Sequence, residues 1–134
     1  MLHSKLWRST GEHVDDIAGQ LKKFQKELST GTVSLVLLAV LGQSRQPLYG
    51  YQIARQLEQA GEGVLAGKQS ALYPVLRNLE GAGLLASEVE PSVSGPPRRY
   101  YRITKFGREV LREWTAAWNA SRDSVDKVLQ GELR

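Results

Sequence analysis

Side chains able to meet phosphates and base edges gather between Lys68 and Asn78 of this 134-residue chain. If a helix begins near Ser70, then Ser70, Tyr73, Arg77 and Asn78 lie opposite a stripe of Leu72, Val75, Leu76 and Leu79, with Lys68 and Gln69 at the approach. Hydroxyl, phenol, guanidinium and carboxamide groups donate to phosphate oxygens and pair with base edges. No acid interrupts them before Glu80. A helix face that is merely solvated usually interleaves acids with bases, and this one does not.

A second cluster follows. Arg98, Arg99, Arg102, Lys105 and Arg108 are five cations in a stretch with no acid, in a chain whose net charge is +4. Local concentration of one sign is the footprint of a polyanion contact. A solvated basic face would carry the same charge, so the spacing of the surrounding elements has to separate the two readings.

Other chemistries find little support. There is no cysteine, which excludes a disulfide framework, a thiolate metal site and a cysteine nucleophile. His3 and His13 are the only histidines, and their spacing matches no common metal pair. No Ser-His-Asp set, phosphate-cradling Gly-rich loop or closely spaced acidic pair stands out, so neither an enzyme nor a cofactor is expected. The N-terminus carries no signal-peptide core, and the apolar run Val33 to Leu41 is far short of the ~20 residues that span a bilayer. A cytoplasmic protein without a membrane partner is the expectation. With 41% hydrophobic and 24% charged residues, the chain has the composition of an ordinary folded domain.

The elements that must position the two clusters can be read from apolar spacing. Ser9 to Leu28 reads as a helix, with Ser9 and Glu12 at capping-box spacing and Val14, Ile17, Leu21, Phe24 and Leu28 on one seam. Thr32 to Leu41 reads as a separate short helix, apolar on nearly all sides, closed by Gly42. Gly50 to Ala60 forms the next helix, stopped by Gly61 and Gly63. Ser70 to Ala82 forms another, with Pro74 in its first turn and Gly81 and Gly83 at its end. Leu84 to Glu90 and Arg98 to Thr104 read as strands around a Pro/Ser/Gly loop, and alternation sets Arg99, Tyr101 and Ile103 on one face. From Thr104 to about Gln130 a last helix carries Leu111, Trp114, Trp118, Ser121, Val125 and Val128 on a second heptad seam.

Three helices followed by a hairpin with a basic base is the winged helix-turn-helix order. The predicted fold is therefore mainly α with a small β-hairpin. It divides into an N-terminal helical arm over residues 1–31, a DNA-binding domain over 32–104 and a C-terminal dimerisation helix over 105–134. The third helix would enter the major groove, and Arg98 and Arg99 would reach phosphates or the adjacent minor groove. Taken alone, those two arginines are ordinary loop residues; their place beside the polar helix gives them meaning.

The strings Tyr49-Gly50-Tyr51-Gln52-Ile53, Ser70-Ala71-Leu72-Tyr73-Pro74-Val75-Leu76-Arg77-Asn78-Leu79-Glu80, Gly83-Leu84-Leu85 and Gly95-Pro96-Pro97-Arg98-Arg99-Tyr100-Tyr101-Arg102-Ile103-Thr104, then Gly107, resemble the PadR family of transcriptional regulators. The resemblance covers roughly residues 33–112. It implies a homodimer on a winged helix that represses by binding a pseudo-palindromic operator in double-stranded DNA. By motif match, Ser70, Tyr73 and Arg77 face DNA and the wing adds Arg98 and Arg99. Asn78 stands where the family commonly has a base, and Ala71 where threonine is common, so the operator sequence does not carry over. Some members respond to phenolic acids or flat hydrophobic drugs.

Both heptad seams supply a dimer interface, through Ile17, Leu21 and Phe24 at one end and Leu111, Trp114, Trp118, Val125 and Val128 at the other. The N-terminal helix is expected to pack seam to seam on the C-terminal one. Trp114 and Trp118 either fill a wide helix-helix interface or wall a flat slot for a planar aromatic effector. The alternative to a DNA-binding regulator is a winged helix used only for protein–protein contact.

Overall fold

The structure, a computed structural model, describes residues 16–61 and 71–132. Its first helix, α1 (Asp16–Gln43), is continuous where the sequence predicts two helices with a break near residue 30. The polar string at the expected break is accommodated inside the helix. The Thr32 hydroxyl donates to the carbonyl of Leu28 at 2.8 Å, which removes its competition with the backbone ladder. Gly31 costs about 1 kcal/mol relative to alanine, little beside what the packed half of the helix gains. Ser9 and Glu12 lie outside the described residues.

Gly42 is also inside α1 and does not cap it. A Cβ there would lie 3.0 Å from Cδ2 of Leu111, so the missing side chain lets the last helix approach. The last turn of α1 has no basic residue of its own. Arg108 supplies one from across the fold, donating from Nη1 to the carbonyl of Gly42 at 3.2 Å. By length and composition α1 is apolar enough to cross a membrane. Its apolar C-terminal half has another explanation, since Leu37, Leu38 and Leu41 are 0–2% exposed at the centre of the core.

The chain continues through β1 (Leu48–Tyr49), α2 (Gly50–Gln59), α3 (Leu72–Gly81), β2 (Leu85–Glu90), β3 (Arg98–Ile103) and α4 (Lys105–Leu129). α2 starts with the Gln52 side-chain oxygen accepting the N–H of Tyr49 at 3.1 Å, and past its C-cap Ala60 the chain turns at Gly61, whose φ of +112° suits glycine. Pro74 is the third residue of α3, in the turn whose N–H groups have no helical partner. Leu72, Leu76 and Leu79 of α3 meet Ile53 and Leu57 of α2, the α1 leucines, and Leu84, Leu85, Tyr101 and Ile103 below them in one buried cluster.

The sheet is antiparallel in the order β1-β3-β2, with Leu85 opposite Ile103 and Glu90 opposite Arg98. β1 is absent from the sequence reading because two residues show no period; it pairs Leu48 with Tyr101 and Tyr49 with Tyr100. The architecture is a winged helix.

The junction into α4 is tightly specified. Thr104 caps the helix, its hydroxyl accepting the N–H of Gly107 at 2.9 Å and donating to the carbonyl of Gly83 at 2.7 Å. Gly107 rests directly on the carbonyl of Leu84, and a Cβ there would overlap it. The wing, α4 and the end of α3 are thereby joined at one point.

Candidate nucleic-acid interface

Amphipathic spacing orients α3. With Leu72, Leu76 and Leu79 buried, Tyr73, Arg77 and Asn78 emerge on the opposite side, Arg77 and Asn78 exposed and Tyr73 at 40%. The Tyr73 ring lies against Gly50, with Cζ only 2.9 Å from where a Cβ would stand. The phenol is thus braced by the start of α2 while its outer side meets solvent. Lys68, Gln69 and Ser70 lie outside the described residues.

Strand alternation separates the two wing arginines, an outcome implicit in the prediction that Arg99 shares a face with Tyr101 and Ile103. Arg98 projects from the other face, where its guanidinium stands 4.5 Å from the centre of the Tyr49 ring. Tyr100 meets the same ring edge-on at 5.4 Å, and Tyr51 stacks beyond it at 6.3 Å. Arg55 of α2 closes the row, 5.9 Å from the Tyr51 ring, and its proton is held more tightly than usual by the hydrogen bond to the Tyr51 hydroxyl. Cation–π contacts of this kind are worth ~0.5–1 kcal/mol at exposed sites, enough to bias a side chain's direction.

On the inner face Arg99 donates from Nη1 to the Ser87 hydroxyl at 2.9 Å, and Ser87 donates to Oε2 of Glu80 at 2.7 Å. The acid that closes the polar run of α3 is therefore matched by a wing cation through a hydroxyl. Below them Tyr101 is 2% exposed. Burial pushes its hydroxyl above the usual tyrosine range, the Glu80 carboxylate adds to this, and Arg99 and Arg77 act in the opposite sense. Among the described residues no His/Asp/Glu cluster could hold a metal ion.

The family pattern described as Transcriptional regulator PadR-like family matches residues 37–113, more than half the chain. A crystal structure of a PadR family transcriptional regulator from Eggerthella lenta shares 40% identity at a TM-score of 0.67, covering 88% of this chain and 96% of that one. A PadR-like transcriptional regulator from Bacillus cereus shares 27% at a TM-score of 0.63, covering 78% and 97%. Transcriptional regulator Rv3488 of Mycobacterium tuberculosis is 41% identical over 66 residues, 49% of this chain and 58% of that protein. The chain belongs to the PadR-like family. It is a transcriptional regulator.

In this PadR-like chain the residues predicted to form a dimer seam divide into two groups. Leu111 and Trp114 are half-buried against their own chain's core, Leu111 beside Gly42. Ile17, Leu21, Phe24, Val125 and Val128 are 55–73% exposed, with Leu28 at 46% and Trp118 at 38%. Within one chain α4 packs on the C-terminal half of α1, away from the N-terminal seam. Between these helices runs an open groove of about 310 Å³ walled by Thr32, Leu35, Trp114, Ala117 and Trp118.

Sequence reasoning missed Tyr49, Arg55, Ser87 and Glu80 as parts of the interface. The quoted family strings contain Tyr49 and Glu80, yet their partners come from elements distant in sequence. The one available signal was strand alternation, which places Ser87 and Arg99 on a common face once the register is known.

Proposed function

We propose that this PadR-family regulator binds a pseudo-palindromic operator in double-stranded DNA as a cytoplasmic homodimer and represses transcription. α3 enters the major groove with Tyr73, Arg77 and Asn78, preceded by Lys68, Gln69 and Ser70, and Arg98 and Arg99 of the wing flank it. The observation that carries this reading is the division of α3, with leucines buried on one side and the guanidinium of Arg77 and carboxamide of Asn78 exposed on the other, beside the Tyr73 ring whose hydroxyl end rests on Gly50. Homodimerisation is supported by the exposed seam of Ile17, Leu21, Phe24 and Leu28, apolar groups that a soluble chain seldom leaves uncovered in a row. Dyad-related modules would meet half-sites about one helical turn, ~34–36 Å, apart.

The salt dependence of duplex binding tests the reading. A protein that neutralises ~6–10 phosphates loses affinity 10³- to 10⁵-fold as salt rises from about 50 to 200 mM. Arg77→Ala should reduce the preference for a selected duplex over random sequence, while Arg98→Ala should weaken both alike. Weak association insensitive to salt would assign the fold to protein–protein contact instead. The groove at Trp114 and Trp118 is assigned to a planar aromatic effector that releases DNA. Unchanged tryptophan emission across a panel of such compounds would remove that part alone.

A further inference from the structure

We infer that Arg99 acts on DNA through the protein: with Ser87 and Glu80 it forms a bridge that sets the angle between the wing and α3, leaving Arg98 free as a phosphate ligand. The inference rests on the DNA-binding reading above, and deepens it by giving the two adjacent arginines different tasks.

The bridge joins three elements, with Glu80 in the last turn of α3, Ser87 on β2 and Arg99 on β3. Its two links are short, 2.7 Å from Ser87 to Glu80 and 2.9 Å from Arg99 to Ser87. A serine hydroxyl has one proton to give and lone pairs to accept with. Here it gives to the carboxylate and accepts from the guanidinium, so both charges strengthen it. Between α3 and β2 the backbone turns through Gly83 at φ +83°, held by Gly83 N–H to Glu80 O and Leu84 N–H to Leu79 O, both at 2.9 Å. The side-chain bridge spans that turn a second time, farther out along the wing. Directly across the ladder from Ser87 lies Tyr101, which is buried and gives the bridge a packed floor.

Arg98 is held differently. Its guanidinium carbon lies 4.5 Å from the centre of the Tyr49 ring, and its N–H groups make no hydrogen bond among the described residues, which leaves them to donate to phosphate oxygens. One arginine is consumed in the frame and its neighbour is presented by it.

Charge makes the test decisive, because Glu80→Gln removes an acid beside a polyanion. If Glu80 acted only through its charge, the substitution would tighten DNA binding. If it anchors the wing, the substitution weakens binding. The full-length wild type, Glu80→Gln, Arg99→Gln, the double variant and Arg98→Gln are compared on a duplex selected from a random pool by the wild type and on random duplex. Hydrogen exchange of the wing amides, residues 88–99, is measured without DNA.

Glu80→Gln and Arg99→Gln are each expected to weaken the selected duplex about three- to tenfold at every salt concentration, the scale of a partly exposed charge-assisted hydrogen bond. Their double variant should be no weaker than either alone. The slope of log affinity against log salt stays at the wild-type value for both, whereas Arg98→Gln lowers it by about 0.9, one phosphate contact. Wing amides exchange faster in Glu80→Gln and Arg99→Gln and are unchanged in Arg98→Gln. A lowered slope for Arg99→Gln, tighter binding by Glu80→Gln or unaltered exchange in both would overturn the inference. If the wild type selects no duplex, the DNA-binding reading fails by itself, and the exchange rates still decide whether the bridge holds the wing.

Discussion

Along α1 the N-terminal half presents Ile17, Leu21, Phe24 and Leu28 to solvent at 46–73% exposure, while the C-terminal half sinks Leu37, Leu38 and Leu41 to 0–2%. Both halves are apolar at helical spacing. One is covered by α2, α3, the sheet and α4 of its own chain, and the other extends past them. Apolar periodicity therefore specifies which face of a helix must be covered but not whose atoms cover it. A fully buried leucine contributes roughly 1.5–3 kcal/mol over an exposed one. The second half collects it on folding, whereas the described residues of the same chain leave the first half uncovered.

The largest effect expected from this difference is in the core. Leu38→Ala should destabilise the fold by about 2–5 kcal/mol at any protein concentration, measured by urea unfolding. Leu21→Ala should leave the dilute protein's unfolding midpoint unchanged and lower it only where association occurs, because a partner's contribution scales with its concentration. Equal losses for both variants across a wide concentration range would abolish the distinction between the halves.

A smaller loss is expected at the join between wing and last helix. Gly107→Ala drives a methyl into the Leu84 carbonyl, and backbone cannot swing aside as a side chain does. The strain should cost about 1–3 kcal/mol in thermal unfolding, in the range of other overpacked sites. It should also loosen the Thr104 cap, visible as faster exchange of the backbone amide at position 107 than in wild type. A variant as stable as wild type would mean that α4 can shift away from the sheet, and that the covered half of α1 is less tightly closed than Leu111 beside Gly42 implies.

Much of this arrangement was legible in the sequence for a simple reason: α3 and the β2–β3 hairpin are local units whose burial follows their own apolar spacing. Leu72, Leu76 and Leu79 could only face inward, and Tyr101 and Ile103 had to share the sheet's buried side. The break expected before Thr32 failed because its cues, Gly31 and the hydroxyl residues, are weak local preferences. A helix already anchored at Leu37 and Leu38 overrides them. Arg98 over Tyr49 and the Glu80–Ser87–Arg99 bridge depend on register and on the β1 pairing, which no local pattern contains. The sequence could list the polar residues of the interface; which of them spend their hydrogen bonds on one another required the tertiary fold.

The smallest expected effect concerns the hydroxyl of a buried tyrosine and carries the same contrast of covered and uncovered groups to the tyrosines. Tyr101 is raised above its ordinary value chiefly by burial and then by Glu80, whereas Tyr51 at 52% exposure stands in water. The neutral phenol is the form the fold favours. Below about pH 10, the value of an unfolded tyrosine, both states hold the proton and the contribution of Tyr101 is complete. As the pH rises past that point the unfolded chain ionises first, so stability falls through the interval up to the raised folded value. Tyr101→Phe has no proton to lose, and its unfolding free energy should decline less steeply than wild type above about pH 10 while the two run parallel below. Parallel curves throughout would mean that water reaches the Tyr101 hydroxyl as freely as it reaches Tyr51, and that the floor beneath the wing is open.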